Sequence, residues 1–303
     1  MNKIVNRIPY IQKSLTAAFP DETITAMPSA DTEIYISSAG EMDQETLNAM
    51  AKLKLCILES DGYDSLDLSY FAARKICLVH AHDIYSMPIA EYIVAKILDH
   101  TTKAPFYRTC QETHTYVRTT RKLLSAYTIG FLGTGSIARA AVRLLKPFAP
   151  TVIGYKRTVI RHLDGFDALY YKDQFYDFLA RTDILVAALD LNPSTRTILN
   201  QKAFQAMKTG SALINIARGA ILDEIALCNA LESGKLSAAY LDVFCHEPLA
   251  RNHPLWTQPH AFLTPHASAV CQENTAAITD YVIHTIRSYM EHKPIAHQVL
   301  THQ

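Results

Sequence analysis

The sequence predicts an α/β protein made of two doubly wound parallel-sheet domains, one inserted into the other. Short β-branched runs alternate with amphipathic stretches along the whole chain, as in consecutive βαβ units. A length of 303 residues is enough for two hydrophobic cores. A last apolar segment follows the final strand of the second predicted domain and is expected to return to the first.

The composition is that of a folded globular protein, with 49% hydrophobic and 19% charged residues. Lysine plus arginine and aspartate plus glutamate both number 29, which favours neither a nucleic acid nor a membrane surface as partner. No apolar run approaches the ~20 residues of a membrane helix, and residues 1–7 lack an apolar signal core. The 6 cysteines are scattered, so we expect buried reduced thiols and a cytoplasmic location.

The first third of the chain predicts four strands separated by helices. The strands are expected at 3–5, 33–36, 55–58 and 76–79, and the helices near 9–18, 43–52 and 67–73.

A long helical stretch is then predicted from Ser86 to about Tyr116. Ser86 suits the N-cap position and Pro88 suits the first turn. A helix of this length does not fit a simple crossover, which favours a connector between domains and a candidate surface for a homodimer. The alternative is a crossover helix followed by a loop broken at Pro105.

The domain boundaries follow from this pattern. Residues 1–98 and 272–303 are predicted to form a discontinuous substrate-binding domain, and residues 99–271 a dinucleotide-binding domain. The segment 272–291 predicts a helix of the first domain. Its apolar residues are Ile278, Val282, Ile286 and Tyr289.

A glycine-rich turn connects a predicted strand at 128–132 with a predicted helix at 136–147. Gly133 would permit the tight turn, Gly135 would let a pyrophosphate approach the helix N-terminus, and Ala138 takes the third, close-packing position. The alternative is a glycine turn that binds nothing. The predicted dinucleotide contacts of this turn are Gly133, Thr134, Gly135, Ser136 and Ile137.

A basic turn follows the next predicted strand, at 151–154. NAD-specific domains place an acidic residue here for the ribose 2′-hydroxyl. This chain has Lys156, Arg157 and Thr158 instead, and the next carboxylate is Asp164. Two cations and a hydroxyl suit a 2′-phosphate. We therefore predict a preference for NADP(H), with NAD(H) as an alternative cofactor; the other interpretation is a solvated turn that does not discriminate.

Arg218, Glu247 and His266 each follow an apolar run that predicts a strand. The runs cover 212–217, 239–244 and 261–264. Because the carboxyl ends of parallel strands meet at one edge, these side chains are expected to lie near each other. An arginine can hold a carboxylate with two N–H donors, and a histidine paired with a carboxylate is held in one tautomer. Each residue taken alone is more often an ordinary surface residue.

Together these motifs resemble the D-isomer-specific 2-hydroxyacid dehydrogenase family over about residues 55–268. The resemblance implies a Rossmann cofactor domain inserted into a flavodoxin-like substrate domain. The basic turn suggests the glyoxylate/hydroxypyruvate reductase branch. The shared motifs are Asp61-Gly-Tyr-Asp64, Ala90-Glu91, residues 133–138, Asn215-Ile-Ala-Arg-Gly219, Leu241-Asp-Val-Phe244, Glu247-Pro248 and Thr264-Pro-His266.

The resemblance also implies an activity, the reversible reduction of a small 2-ketoacid to the (R)-2-hydroxyacid. Arg218 would clamp the substrate and polarise its carbonyl, His266 would be the general acid, and Glu247 would orient and charge His266. The positions that match the surroundings of the nicotinamide are Ala217, Asp242 and Ser268.

On the first domain, Gly62 and Tyr63 match the place where family members hold the substrate carboxylate with backbone N–H groups. Asp61 precedes them where a small neutral residue is usual, and we include it among the substrate-binding residues. His80 and His82 replace smaller residues in the next loop.

A metal site built from His80, His82 and Asp83 is conceivable by residue type. These are adjacent loop residues without a second cluster in the sequence, so we expect no metal.

A second function from another class also fits the fold, namely a dinucleotide-sensing, corepressor-like binding protein with weak or no dehydrogenase activity. The joint presence of Arg218, Glu247 and His266 favours the enzyme, whereas a large exposed apolar groove on the first domain would favour the sensor. A formate-dehydrogenase-like function fits less well, because that branch uses Gln where this chain has Glu247.

Overall fold

The computed structural model describes residues 3–160 and 162–299. They form two compact units. The first unit runs up to Tyr85 and resumes at Cys271, and the second is Ser86–Val270.

The strands of the described residues are, in chain order, β1 (Lys3–Asn6), β2 (Thr23–Thr25), β3 (Ile34–Ser37), β4 (Leu55–Leu58), β5 (Cys77–Val79), β6 (Thr128–Leu132), β7 (Thr151–Tyr155), β8 (Ala168–Tyr170), β9 (Ile184–Ala187), β10 (Ser211–Asn215), β11 (Leu236–Leu241) and β12 (Ala261–Leu263). The α-helices are α1 (Gln12–Ala18), α2 (Gln44–Asn48), α3 (Leu68–Arg74), α4 (Ser86–Thr102), α5 (Ala104–Glu112), α6 (Ser136–Leu145), α7 (Phe175–Arg181), α8 (Gln201–Ala206), α9 (Glu224–Glu232) and α10 (Asn274–Met290).

The first unit contains a parallel sheet with the strand order β2-β1-β3-β4-β5. This order, 2-1-3-4-5, is that of a flavodoxin-like doubly wound sheet. Helix α10 packs on it, because Ile278, Val282 and Ile286 are buried in one cluster with residues of β1, β3 and β4. The apolar spacing of the last segment predicted this helix and its face.

The second unit contains a parallel sheet with the order β12-β11-β10-β9-β6-β7-β8. Counted from its first strand β6, the order is 3-2-1-4-5-6-7, which is the Rossmann arrangement with one more strand. From β6 the chain adds β7 and β8 on one side of the sheet, and then β9 to β12 on the other side. Sheets of this kind bind ligands in the crevice at the carboxyl ends of the strands where the order reverses, here β6 and β9. The predicted fold class is confirmed.

The predicted long helix is interrupted. Helix α4 ends at Thr102, Lys103 adopts a left-handed conformation with φ 58°, and α5 begins at Ala104. Pro105 lies in the first turn of α5, where its missing N–H costs nothing, whereas the same proline would break a continuing helix.

Helix α4 belongs to the second unit and packs against α6. It buries Ile89, Ile93 and Ile97. The predicted domain boundary after residue 98 lies inside this helix, whereas the second unit begins at Ser86. The sequence pattern does not mark the start of the unit, because the helical pattern has no break within α4. No helix among the described residues is long and apolar enough to cross a membrane.

Candidate active site

The glycine-rich turn begins directly after β6. Gly133 has φ +96°, and a Cβ atom built there would lie 2.1 Å from the carbonyl oxygen of Ala188. Only glycine fits both the conformation and the space. The Gly133 amide donates to the carbonyl of Tyr155 at 3.0 Å, which fixes the turn against the end of β7.

Gly135 is the N-cap residue of α6, and no side chain caps this helix. A Cβ atom on Gly135 would meet nothing within 4 Å, so the space in front of the helix N-terminus is open. Thr134 lies over β7, where a Cβ atom on Gly154 would come within 2.7 Å of its methyl carbon. Ser136 begins the helix. The open N-terminus with its unsatisfied N–H groups suits a phosphate.

The basic turn follows the end of β7. Lys156 is half-buried, and its amide donates to the carbonyl of Tyr170 at 3.1 Å. Arg157 and Thr158 are exposed. Among residues 3–160 and 162–299, neither cation forms a side-chain ion pair within 4.0 Å. Both charges are therefore available to an external anion.

The turn that carries Arg218 is fixed from two sides. The buried Asn215 accepts a hydrogen bond from the amide of Ala217 at 3.2 Å and donates to the carbonyl of Arg218 at 3.2 Å. A Cβ atom on Gly219 would lie 1.9 Å from the carbonyl carbon of Phe244, so this turn lies directly on the chain that follows β11. Nη1 of Arg218 donates to the carbonyl of Ala217 at 2.7 Å.

Asp242, the residue after β11, is fully buried and organises the loop after β12. One carboxylate oxygen accepts from the hydroxyl of Thr264 at 2.6 Å and from the amide of Ala267 at 2.8 Å. The other oxygen accepts from the amide of Ser268 at 2.9 Å. These three bonds to a charged acceptor hold the segment that carries His266.

The hydrogen-bond chain continues to α4. The hydroxyl oxygens of Tyr92 and Thr264 are 2.7 Å apart. Since Thr264 donates its proton to Asp242, Tyr92 is the donor to Thr264. Burial raises the pKa of Tyr92 to about 12, so its hydroxyl keeps that proton at neutral pH.

His266 and Glu247 form a direct pair. Nδ1 of His266 lies 2.7 Å from Oε2 of Glu247, and Oε1 of Glu247 accepts from the amide of Phe244 at 2.9 Å. A carboxylate only accepts, so Nδ1 carries the proton and the ring orientation is fixed. The amide of His266 donates to the carbonyl of Asp242 at 2.8 Å. The imidazole is half-exposed, and its Nε2 makes no hydrogen bond to the described residues.

The second unit therefore brings three of the predicted functional residues to the ends of the neighbouring strands β10, β11 and β12. Arg218 supplies a guanidinium, and His266 supplies an imidazole whose Nε2 can hold or release a proton. Glu247 neutralises the charge that His266 acquires on protonation. Such a set can bind a carboxylate and protonate an oxygen.

The predicted substrate-binding residues Asp61, Gly62 and Tyr63 lie in the first unit, in the loop after β4. The hydroxyl of Ser60 donates to the carbonyl of Gly62 at 3.2 Å, and the rings of Tyr63 and His80 make an edge contact with centroids 5.1 Å apart.

Asp61 is in contact with two histidines. Its Oδ1 lies 3.1 Å from Nδ1 of His80 and 3.3 Å from Nδ1 of His82. Burial by itself would raise the pKa of the Asp61 carboxyl, but the hydrogen bonds and charges of the two imidazoles hold it below its usual value.

Sequence reasoning did not assign the supporting residues Asn215, Tyr92 and Thr264. Asn215 and Thr264 stand inside motifs that the sequence did single out, at positions where a polar residue ends an apolar strand. Tyr92 is 172 residues from its partner and carried no such signal. Ala217 and Ser268 are buried beside these supports, and their place near a nicotinamide stays a prediction.

Comparison with known proteins gives three findings. Residues 94–268 match the family model described as D-isomer specific 2-hydroxyacid dehydrogenase, NAD binding domain. Glyoxylate/hydroxypyruvate reductase A of Yersinia enterocolitica is 33% identical over 203 residues, which are 67% of this chain and 64% of that protein. D-3-phosphoglycerate dehydrogenase of Methanocaldococcus jannaschii is 27% identical over 290 residues, which are 95% of this chain and 55% of that protein. The matched region thus spans between half and two thirds of these relatives.

Solved structures match over nearly the whole chain. An NADPH-dependent glyoxylate/hydroxypyruvate reductase from Sinorhizobium meliloti, in complex with NADP and sulfate, superposes with a TM-score of 0.85 at 26% identity and covers 98% of each chain. A probable 2-hydroxyacid dehydrogenase from Rhizobium etli CFN 42, in complex with NADP, HEPES and L(+)-tartaric acid, gives a TM-score of 0.83 at 26% identity over 98% of this chain and 96% of the other.

Proposed function

This chain belongs to the D-isomer specific 2-hydroxyacid dehydrogenase family, and from that membership and the geometry of its second unit we propose that it reduces a small 2-ketoacid to the (R)-2-hydroxyacid with NADPH. The reaction is reversible in principle. Relatives named glyoxylate/hydroxypyruvate reductase support glyoxylate and hydroxypyruvate as the first substrates to test.

We propose that the dinucleotide is held by the turn 133–137 and the basic turn 156–158. The chain fits this group, because a Cβ on Gly135 would point into open space at the N-terminus of α6 and the helix has no side-chain cap. Lys156 and Arg157, with Thr158, would hold a 2′-phosphate. The NADP complexes of similar proteins support NADP(H) as the preferred cofactor, with NAD(H) as the alternative.

Arg218 is the proposed carboxylate clamp. Its planar guanidinium can donate two parallel hydrogen bonds and can also polarise the neighbouring carbonyl. The rigid turn between Asn215 and Gly219 supports this role, because a precisely held cation positions the substrate instead of merely attracting it. In the first unit, Asp61 and the backbone N–H groups of Gly62 and Tyr63 are proposed to take part in substrate binding.

His266 is the proposed general acid. When bound, NADPH supplies a hydride to the keto carbon, and the carbonyl oxygen then requires one proton. Nε2 of protonated His266 is proposed to give up that proton. The Nδ1–H group of His266 stays hydrogen-bonded to Glu247, whose carboxylate stabilises the imidazolium before the transfer. Solvent returns the proton to His266 after each turnover.

One observation carries the proposal. The Glu247–His266 pair is supported by a fully buried Asp242 with three donors and by the Tyr92–Thr264 chain. A surface histidine would not need such support.

The sensor alternative finds little support. It requires an exposed apolar groove on the first unit. In the described part of that unit, the large apolar side chains that are exposed are Tyr10 and Met27, and the Tyr10 hydroxyl already donates to Glu59 at 2.7 Å.

The experiment is a panel of 2-ketoacids assayed with NADPH and with NADH. Glyoxylate, hydroxypyruvate, pyruvate and branched or aromatic analogues are compared by kcat/KM, and oxidation of 3-phosphoglycerate is included because of the second group of relatives. We expect at least one acid to be turned over, and NADPH to be preferred. Dinucleotide binding without any turnover would instead support the sensor.

We also propose a homodimer and a cytoplasmic location. Helix α5 buries no residue, and Phe106, Tyr107, Tyr116 and Leu123 are exposed in and after it. An exposed apolar segment of this kind is typical of an interface between subunits. All cysteines are free thiols, in keeping with a reducing compartment. Sedimentation equilibrium tests the dimer.

A further inference from the structure

Two loops of the first unit come together at the carboxyl edge of its sheet. Strands β4 and β5 are parallel neighbours, with Ile57 beside Val79. The chain after β4 carries Asp61 and the chain after β5 carries His80 and His82. The amide of Ala81 donates to the carbonyl of Ser60 at 3.2 Å, and this bond ties the loops together.

The three side chains converge on one point. Oδ1 of Asp61 lies 3.1 Å from Nδ1 of His80 and 3.3 Å from Nδ1 of His82. Nδ1 of His80 also lies 3.0 Å from the backbone carbonyl oxygen of Asp61. Each of the three residues offers one potential ligand atom within 4.8 Å of those of the other two. Donors bound to one Zn²⁺ at about 2.0–2.1 Å stand about 2.8–3.4 Å apart. The two distances from the carboxylate already match that spacing.

The local charge favours a cation. The loops 59–64 and 80–85 carry Glu59, Asp61, Asp64 and Asp83 but no lysine or arginine. Among the described residues, Asp61 makes its ion pairs with the two histidines alone. With histidines counted as neutral, these two loops therefore carry a formal negative charge.

A supporting carboxylate is present as well. Nε2 of His82 lies 3.5 Å from Oδ1 of Asp83, on the side of the ring away from Asp61. Histidines that bind metals with one nitrogen commonly donate the other N–H to a carboxylate. Asp61 and His82 are both partly exposed, at 37% and 35%, so an ion can reach the cluster from solvent.

We propose that Asp61, His80 and His82 form a binding site for one divalent transition-metal ion of the Zn²⁺ class. Two imidazoles and a carboxylate suit such an ion better than Mg²⁺, which prefers oxygen ligands alone. The sequence argued against a metal because His80, His82 and Asp83 had no second cluster. The fold supplies the missing ligand, Asp61, from a loop about twenty residues away, and moves Asp83 to the supporting position.

Calorimetric titration of the full chain with Zn²⁺, after treatment with a chelator and without dinucleotide or substrate, tests the site. We expect one ion per chain at the strongest site, and at least about tenfold weaker binding in Asp61→Asn, His80→Gln and His82→Gln. Asp83→Asn, which removes no ligand, is expected to weaken binding about 10- to 100-fold. Co²⁺ should give visible absorption bands that the His80→Gln/His82→Gln variant lacks.

The matched control is His162→Gln. It removes an imidazole from another histidine–aspartate pair, His162 Nε2 with Asp164 Oδ1 at 2.9 Å, which has no third ligand. Zn²⁺ affinity should be unchanged there, and circular dichroism should show every variant folded. The proposal is overturned if the wild type binds Zn²⁺ no more tightly than the double variant, or if His162→Gln loses as much affinity. Because no substrate is present, either outcome is independent of the proposed reaction.

Discussion

The carboxyl edges of the two sheets both carry carboxylates and histidines, but the carboxylates have different hydrogen-bond partners. At the edge of the second unit, Asp242 and Glu247 accept hydrogen bonds from backbone amides. The cations near this edge are Arg218, Lys156 and Arg157. At the edge of the first unit, the side chain of Asp61 contacts the imidazoles of His80 and His82, and the loops 59–64 and 80–85 contain no lysine or arginine.

We infer from this difference that the partners of a carboxylate help to determine which ligand charge a site suits. In the second unit the carboxylates hold the protein's own loops and one imidazole, so the edge suits anions such as phosphate and a substrate carboxylate. In the first unit the carboxylate and two imidazoles converge, so the edge suits a cation. Four variants test this contrast.

The largest effect is expected from His266→Gln, which keeps a polar side chain but removes the proposed proton donor. We predict that kcat for ketoacid reduction falls about 10²–10⁴-fold with a small change in KM. Steady-state kinetics measures it, and the affinity of the first unit for Zn²⁺ should not change. His253→Gln is the control, since it breaks another histidine–glutamate pair of the same unit, with Glu224 at 3.3 Å. Turnover within threefold of the wild type would remove His266 from the mechanism.

Arg218→Ala comes next. It removes the two hydrogen bonds that we propose to the substrate carboxylate, each contributing about 1.5–3 kcal/mol, so kcat/KM is predicted to fall about 100-fold or more. KM should rise and kcat should fall, because the guanidinium is proposed both to bind the substrate and to polarise its carbonyl. Arg218→Lys should recover only part of the loss, since it restores the charge but not the two parallel donors. Full recovery of kcat/KM in Arg218→Lys would show that a positive charge at this position is sufficient, and that the two parallel donors are not needed.

The basic turn should have a smaller, selective effect. In the double variant Lys156→Ala/Arg157→Ala we predict about 10- to 100-fold weaker NADPH binding and little change for NADH, because only NADPH carries the 2′-phosphate. Fluorescence titration with both dinucleotides gives the ratio of the dissociation constants for NADPH and NADH. Arg181→Ala, an exposed cation at the end of α7, is the control. Equal losses for both dinucleotides would mean that the turn does not discriminate.

The smallest effect is expected from Gly135→Ala, whose new methyl group meets nothing within 4 Å. The melting temperature should stay within about one degree, while dinucleotide binding weakens about tenfold because the methyl group occupies the space of the phosphate. Gly133→Ala should behave in the opposite way and destabilise the fold, since its φ is +96° and its Cβ would meet Ala188. Unchanged dinucleotide affinity in Gly135→Ala would place the phosphate elsewhere.

Much of the fold follows from the sequence, because apolar runs and their spacing predict buried elements directly. The strand at 55–58 and the face of α10 agree with the prediction. The edge strand β2 was not predicted, because Thr23–Thr25 is mostly polar and partly exposed and so has no apolar run. The break at Lys103 was missed because no glycine marks it, although Pro105 was considered as a breaker.

The functional residues likewise divide into those that the sequence predicted and those that it did not. Arg218, Glu247 and His266 were visible because each follows a strand-like run, and the resemblance to the dehydrogenase family that they suggested is confirmed. Partners far apart in sequence were not visible. Nothing in the sequence joins Tyr92 to Thr264, or Asp61 to the two histidines, until the fold places their loops side by side.

The most direct test of the central claim is the configuration of the product formed from hydroxypyruvate and NADPH, measured by chiral chromatography. The proposed proton donor and carboxylate clamp lie on turns fixed by hydrogen bonds, and we expect them to expose one face of the keto carbon to the hydride. The account predicts (R)-glycerate in large excess over (S)-glycerate. His266→Gln is expected to form (R)-glycerate far more slowly than the wild type does. Formation of the (S) product or of a racemic mixture would contradict it.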